Sequence, residues 1–393
     1  MAHSSAPPRL PSPGSAASLR VANQRRVLAE LRDRSGESVS QADLVRQTGL
    51  ASGTVSTIVR DLAAAGIIAT VAGSGRRGTA VRLAAGAGLV AGIDFGHHHV
   101  AAAVGDMAGS VLAESRRPLD PHHQATEGLA IAKDLIEALV REVGAGPEAI
   151  RNVGLGLPAP IANDIVMSSA ILPGWVGLNA RETAADVLAT PVLIENDANL
   201  GALAEWRHGR GRGHRNIVFV KASSGLGAGL ILDGELFRGS DGTAGEIGHV
   251  TLDERGPLCR CGSRGCLEAY VSSRTALALM DEHMPGADLD AVIAAARSGD
   301  VAARRAIEDA GLHLGWGLAA LINLVAPELV IVGGDMARAG DLLIEPALTG
   351  VRRHALPDAA PTEVVAAQLG ERASLIGALT LAIDATDLVV ASG

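Results

Sequence analysis

His249, Cys259, Cys261 and Cys266 constrain the fold more tightly than any other group of residues in this chain. They take in every cysteine of the sequence and place one imidazole and three thiols within the stretch "GEIGHVTLDERGPLCRCGSRGC". Nitrogen and sulfur donors gathered this closely form the tetrahedral set that zinc prefers in closed structural sites. No fourth cysteine remains to complete two disulfides, and the C-x-C-x4-C spacing with its glycines lets a short loop wrap one ion. The alternative, three unrelated buried thiols beside an unrelated histidine, leaves that spacing unexplained. The expectation is one structural zinc ion per chain, because four protein ligands leave no coordination position for a catalytic water.

A chain of 393 residues is too long for one ordinary core, so two or three domains are expected. Aromatic residues make up only 2% of the sequence, so the cores must be built from Ala, Val, Leu and Ile, and stacking platforms for single-stranded nucleic acid are disfavoured. The net charge of -9 conceals a split: residues 1–87 hold 11 arginines and 5 acidic residues, +6, which leaves −15 for the rest. This is a basic head on an acidic body, although a solvated basic face would give the same balance. The opening "MAHSSAPPRLPSPGSAASLR" is rich in Pro, Ser and Ala without a continuous apolar core, and reads as a tail rather than a secretory signal. The best membrane candidate, "LGWGLAALINLVAPELVIVGG", is broken by Asn323, Pro327 and Glu328, so no membrane association is expected. Cysteines used for metal rather than disulfides agree with a reducing, cytoplasmic location.

In the basic head, "NQRRVLAEL" places Val27, Leu28 and Leu31 on one helical face. Ser40 and Asp43 form a capping signal for a second helix, and Gly49 marks its end. "ASGTVSTIVRDLAAAGII" then restarts a helix with Val55, Ile58, Val59 and Leu62 inward. Its other face carries Ser52, Thr54, Ser56, Thr57 and Arg60, small polar groups and one base suited to a groove floor and phosphates. "IIATVAGSGRRGTAVRLAA" follows as a two-stranded wing tipped by Arg76 and Arg77. The sum is a winged helix-turn-helix, with the third helix placed for the major groove and the wing for phosphate or the neighbouring minor groove. Such a unit can also serve packing or dimerisation alone; the arginine wing and the excess positive charge favour DNA.

The acidic body begins after "AAGAG", a short flexible linker by composition. "LVAGIDFGHHHVAAAVGDMAGSVLAESRR" reads as strand, glycine turn, strand, turn, strand. Later apolar strands such as "PVLIENDAN" and "PELVIVGGD" alternate with alanine-rich helices, a pattern that indicates an α/β body whose glycine-rich strand ends collect ligands.

"EIGHVTLDERGPLCRCGSRGCLE", followed in order against "GLPAP", "IENDAN", "SSGLGAG" and "LVIVGGD", resembles the ROK family of sugar-responsive repressors and sugar kinases from about Leu89 onward. The resemblance implies an actin-like (ribonuclease H-like), two-lobed ATPase-type α/β fold, and the winged helix-turn-helix places the chain with the repressor branch. The domains expected are a disordered tail over 1–19, the winged helix-turn-helix over 20–83, a linker over 84–88, and a two-lobed sugar-binding domain over 89–390 with its zinc loop at 249–266. By matching the family's motifs, Asn196, Asp197, Glu246, His249 and Glu268 are expected to contact an effector sugar, and Asp197 to be the base wherever kinase activity survives. Carboxylates accept hydroxyl hydrogen bonds strongly, and His249 can bind metal through one ring nitrogen and face ligand with the other. Taken without the family match, Glu246 and Glu268 read as surface carboxylates beside a metal loop.

The kinase pattern is altered where phosphate would bind. Family kinases resemble Asp-x-Gly-Gly-Thr-Lys in the first loop, whereas this chain has Asp94-Phe95-Gly96-His97-His98-His99, with imidazoles in place of the close-approach glycine and both donors. Ser223-Ser224-Gly225-Leu226-Gly227 likewise departs from Gly-Thr-Gly-x-Gly, and together the two loops argue against ATP. "VGGD" at Val332 to Asp335 is similar to the adenosine-side loop, or is only a turn. On an extended segment at most His97 and His99 share a side, which favours a pocket-lining or solvent-facing role over a second metal site. The expectation is therefore a repressor of carbohydrate-metabolism genes, a homodimer or tetramer on operator DNA, controlled by a sugar or sugar phosphate. The alternative is an ATP-dependent, glucokinase-like sugar kinase with an added DNA-binding domain.

Overall fold

The computed structural model describes residues 16–32, 37–71, 80–359 and 361–390. The chain forms two units, the smaller comprising residues 1–89, 106–110 and 383–393, the larger 90–105 and 111–382.

The smaller unit runs α1 (Ala16–Arg32), β1 (Val39–Ser40), α2 (Gln41–Thr48), α3 (Ser52–Ala64), β2 (Ile68–Val71) and β3 (Ala80–Leu83). Val27, Leu28 and Leu31 of α1 are buried, and so are Val55, Ile58, Val59 and Leu62 of α3, as their spacing predicts. Ser40 caps α2 by accepting the Asp43 N–H at 3.1 Å, while its own hydroxyl donates to the Asp43 carboxylate at 2.8 Å. Gly49 ends the helix at φ 67, a left-handed conformation that glycine adopts without strain. β3 pairs antiparallel with both β1 and β2, which makes a three-stranded sheet. Two readings need correction. α1 begins at Ala16, inside the stretch 1–19 expected as a tail, because Ala16, Ala17 and Leu19 are good helix formers that follow the prolines. The expected linker 84–88 is a 3-10 turn over Ala85–Ala87 in which Ala87 is buried, so small side chains here serve packing rather than flexibility. The C-terminal segment also belongs to this unit: Arg25 pairs with Asp387 at 2.7 Å, and the Val390 N–H donates to Gln24 at 3.1 Å.

The first half of the larger unit contains β4 (Leu89–Phe95), β5 (His99–Asp106), β6 (Val111–Pro118), α4 (Ala125–Glu142), β7 (Ile150–Leu157), the small hairpin β8 (Ile161–Ala162) and β9 (Ile165–Val166), α5 (Ala180–Leu188), β10 (Val192–Asn196) and α6 (Asp197–His208). The second contains β11 (Ile217–Ala222), β12 (Leu226–Leu232), β13 (Glu235–Phe237), α7 (Glu268–Val271), α8 (Ser273–Met280), α9 (Leu289–Arg297), α10 (Val301–Val325), β14 (Leu329–Gly333), α11 (Asp341–His354), β15 (Glu363–Ala366) and α12 (Ala373–Ala385). Their sheets have the orders β10-β7-β4-β5-β6 and β13-β12-β11-β14-β15. In both, the first strand is central, with the second and third on one side and the fourth and fifth on the other. β11 pairs antiparallel with β12 and parallel with β14, and every residue of β14 is buried, which matches its unbroken apolar run.

With few aromatic residues available, the core gains density from close backbone approach. A Cβ at Gly315 of α10 would lie 2.0 Å from the Ala347 carbonyl oxygen of α11, and one at Gly350 of α11 would lie 2.5 Å from that of Leu312. Glycines on both helices thus let α10 and α11 pack nearly backbone to backbone. The fully buried aromatics fill the wider gaps: Phe95 meets Trp175 edge to face at 5.0 Å, and Phe219 of β11 packs in one cluster with Ile217 of the same strand and Ile331 of β14.

Candidate ligand cleft and metal loop

The ends of the two central strands open on one cleft of about 1440 Å³, lined by residues of both halves of the larger unit. Asn196, Asp197, Glu246, His249 and Glu268, expected from the sequence to contact a sugar, all line it. Their commitments differ. Asn196 caps α6, its side-chain oxygen accepting from the Ala198 and Asn199 N–H groups and its amide donating to the Ala159 carbonyl at 3.1 Å. Asp197 opens α6 and is buried, with Oδ2 accepting from the Lys221 ammonium at 2.7 Å. Burial holds the Asp197 carboxyl above its ordinary range, and the Lys221 charge pulls in the opposite direction. Lys221 itself is raised: burial works against its charge, but Asp197 and Asp94 together outweigh it.

Glu268 is no surface carboxylate. At 6% exposure it joins three segments, accepting the Leu226 N–H at 3.1 Å through one oxygen and pairing with Arg260 at 3.2 Å through the other. Glu246 is only partly covered, and burial, followed by the charges of Asp197 and Glu268, pushes its carboxyl up to about 7. A carboxyl poised there can accept or donate a hydrogen bond to a ligand hydroxyl.

The metal loop lies at the rim of the same cleft. The ligand atoms of His249, Cys259, Cys261 and Cys266 all lie within 4.8 Å of one another. Cys261 Sγ and Cys266 Sγ are 3.7 Å apart, and Cys259 Sγ is 3.8 Å from His249 Nδ1. A tetrahedron with zinc–sulfur bonds of about 2.3 Å has edges of about 3.8 Å, so the cluster has the size such an ion requires. The loop is shaped by its own backbone, with the Cys259 N–H donating to Ser263 at 2.8 Å and the Gly262 N–H to Cys259 at 3.0 Å. His249 turns Nδ1 toward the cysteines and Nε2 toward Glu246, 3.9 Å away.

The first altered loop is filled from within. A Cβ at Gly96 would lie 2.0 Å from the His99 ring, so the imidazole packs directly against the Gly96 backbone. Arg116 donates to His99 Nδ1 at 2.9 Å, and burial with that neighbouring charge pushes the imidazole down to about 4. The three histidines do not share an extended segment, as the alternation argument supposed: His97 and His98 form the bend between β4 and β5, closed by the Gly96 N–H donating to the His99 carbonyl at 2.9 Å. All three line the cleft, and the metal-sized cluster found among the described residues is the His249 and cysteine set alone. In the second loop, the Ser223 hydroxyl accepts the Asp335 N–H at 3.0 Å, which ties "SSGLG" to the "VGGD" turn after β14.

Reading the sequence missed Lys221, Arg260 and Ser374. Lys221 had one visible signal, being the sole charged residue in the apolar run "IVFVKA". On α3, Ser52, Ser56 and Arg60 are exposed and Thr54 and Thr57 half-buried, opposite the buried apolar stripe. Arg76 and Arg77 lie outside the described residues. Among the described residues no helix is long and apolar enough to cross a membrane.

Comparison with known proteins agrees with both units. The ROK family model matches residues 90–385 and the MarR family model residues 20–78. The xylose repressor of Bacillus subtilis is 28% identical over 368 residues, which cover 92% of this chain and 95% of that one. The glucokinase of Streptomyces coelicolor is 33% identical over 317 residues, 75% of this chain and 98% of the enzyme. Among crystal structures, a ROK family transcriptional regulator homologous to the E. coli MLC protein covers 93% of the chain with a TM-score of 0.76 at 24% identity, and so speaks for the fold. A ROK family glucokinase from Streptomyces griseus, in complex with glucose and AMPPNP, covers 75% with a TM-score of 0.63 at 30% identity. The actin-like, two-lobed fold expected from the sequence is therefore the fold found, and the chain belongs to the ROK family, with a MarR-type winged helix-turn-helix preceding its sugar-kinase-like domain.

Proposed function

We propose that the protein is a DNA-binding transcriptional repressor of carbohydrate-metabolism genes, controlled by a sugar or sugar phosphate held in the cleft. The observation that supports this reading is a His99 ring packed against Gly96 in a cleft that keeps its carboxylates, on a chain that also carries an exposed polar α3. Glu246 and His249 present the groups least engaged elsewhere, Asp197 and Glu268 are pinned acceptors, and Asn196 offers its remaining amide hydrogen. The donor set of three thiols and one imidazole fits zinc, bound by His249, Cys259, Cys261 and Cys266 as one structural ion per chain. When bound, zinc would fix the His249 ring and so orient the cleft's rim.

Control follows as a population shift. Ligand would favour one closure of the larger unit, and a change in the placement of two winged helices in a homodimer or tetramer would prevent both from engaging successive grooves of a palindromic operator. Ser52, Thr54, Ser56, Thr57 and Arg60 would face the groove, with Arg76 and Arg77 on phosphate. The cytoplasm is the expected compartment for such a regulator. A second reading, a sugar kinase with a DNA-binding head, is favoured by the retained Asp197 and the likeness to glucokinases. One experiment separates them: binding of the chain to DNA upstream of its own gene, titrated with sugars and sugar phosphates beginning with xylose and glucose, beside a phosphorylation assay on the same panel. DNA release without turnover supports the repressor; turnover abolished by Asp197→Asn supports the kinase.

A further inference from the structure

Cys259, Cys261 and Cys266 share a metal loop but not an environment. Cys259 and Cys266 are 3% and 0% exposed, whereas Cys261 is exposed and lines the cleft with His249 and Arg260. A thiol enclosed by protein is inert toward small reactive molecules, and one that faces solvent is open to them. Behind the exposed thiol stands Cys266, its Sγ 3.7 Å from that of Cys261. The chain between them reverses through Gly262 at φ 91 and Gly265 at φ 63, and the Cys259 N–H donating to Ser263 at 2.8 Å holds the turn. An accessible thiol with a second thiol beside it is the arrangement in which cysteine oxidises reversibly, because the second sulfur captures the first oxidation product before more oxygen is added.

The groups next to this pair join the loop to the cleft. Arg260 immediately precedes Cys261 and, with a side chain 15% exposed, donates to the Ser224 carbonyl at 2.8 Å and to Glu268 at 3.2 Å. A Cβ at Gly225 would lie 3.3 Å from Arg260 Nη2 and 3.1 Å from Glu268 Oε2, so this ion pair packs against the second glycine loop. His249 completes the ligand set from the other side, with Nδ1 3.8 Å from Cys259 Sγ. A change in the bonding of Cys261 therefore reaches the cleft wall at two places, through its neighbour Arg260 and through the metal that orients His249.

We propose that Cys261 is an oxidation site at which a small hydroperoxide such as hydrogen peroxide drives a disulfide with Cys266, freeing the metal and loosening the Arg260 side of the cleft. The Cys261 thiolate attacks one peroxide oxygen, the O–O bond breaks, and the hydroxide that departs takes a proton from solvent, leaving a sulfenic acid. The Cys266 thiolate then attacks that sulfur, the S–O bond breaks, and a second hydroxide leaves and is protonated. In sum the two sulfurs give up two electrons and one hydrogen peroxide becomes two waters. His249 and Cys259 alone are then left for the ion, too few for a closed site. Thiol reductant and added zinc reverse the change. This inference rests on the zinc reading above for its metal arm and on the thiols alone for the rest.

The test treats the zinc-loaded full chain with a modest molar excess of hydrogen peroxide. Metal content is measured first, so a chain without zinc fails the zinc reading, and the map of the thiols then still decides for Cys261. Released zinc is followed with a chromogenic chelator, and the cysteines are mapped by alkylation and peptide mass spectrometry. The expected result is loss of the ion, a disulfide joining Cys261 to Cys266, Cys259 found as the alkylated thiol, and recovery of all three thiols and the ion with dithiothreitol and zinc. Three free thiols under conditions that oxidise glutathione in the same solution overturn the proposal. So does a disulfide that includes Cys259, or a sulfinic acid at Cys261 in place of a disulfide. Cys261→His gives a second reading, since an imidazole ligates zinc but forms no disulfide. A zinc-loaded Cys261→His chain should keep its ion under the same peroxide, and loss equal to that of the native chain overturns the assignment; if the variant takes up no zinc, the native map decides.

Discussion

Replacing Glu268 by alanine should detach the metal loop from β12. The carboxylate side chain is 7% exposed and its partner Arg260 15%, and the same carboxylate accepts the buried Leu226 N–H. Removing one partner of a buried ion pair costs about 3–5 kcal/mol, because the other charge stays buried without compensation. An unmet buried N–H alone costs about 1–3 kcal/mol. The two losses share one site and do not add in full, which gives an expected destabilisation of about 4 kcal/mol for Glu268→Ala. Glu268→Gln keeps the shape and an acceptor for Leu226 but removes the charge facing Arg260, and about 2 kcal/mol is expected. Urea unfolding followed by circular dichroism measures both, with metal content determined on the same samples. Because Arg260 lies between Cys259 and Cys261, the alanine variant should also retain less metal at equal chelator concentration. An alanine variant within about 1 kcal/mol of the native chain, with full metal content, would refute the latch that Glu268 is taken to form.

Arg60→Ala on α3 should weaken binding to the upstream DNA and lower the salt slope by about one, measured by fluorescence anisotropy over a range of salt; an unchanged slope would remove Arg60 from the phosphate contacts. His208 accepts or donates to Thr380 at 3.0 Å, and burial, with Arg207 and Arg212 nearby, pushes its imidazole down to about 4. The unfolded chain takes up the proton first, so this stability is complete above the ordinary value of 6.5 and is lost as pH falls toward 4. About 2 kcal/mol should disappear by about pH 5, and His208→Gln should flatten that part of the stability profile. Gly154→Ala should prevent stable folding of the larger unit, since its Cβ would fall 1.9 Å from the Ala378 carbonyl oxygen; a soluble variant with native melting behaviour would contradict the close approach of β7 and α12.

What the sequence disclosed was local. Val55, Ile58, Val59 and Leu62 announced the buried face of α3 by spacing alone, and Gly49 announced the turn before it, because helical period and left-handed backbone are properties of neighbouring residues. The metal loop was legible for the same reason, three of its ligands lying within eight residues. Lys221 was not, since its partners Asp197 and Ser374 are separated from it by 24 and 153 positions and only the folded chain brings them together. Asn196 was legible only in part: the motif suggested a ligand contact, while the structure shows an N-cap whose oxygen is already occupied. The histidine run misled because alternation belongs to extended chain, and the Gly96 to His99 hairpin bond turns it into a bend.

The shared strand order of the two five-stranded sheets has a consequence for how such a receptor can be rewritten. Asp94 is the penultimate residue of β4 and Lys221 the penultimate residue of β11, the central strand in each sheet. A duplicated scaffold thus presents matching addresses from opposite walls, here filled by an acid and a base. Exchanging residues at those two addresses would alter the polarity of the chamber, at the cost of the buried pair that Lys221 makes with Asp197.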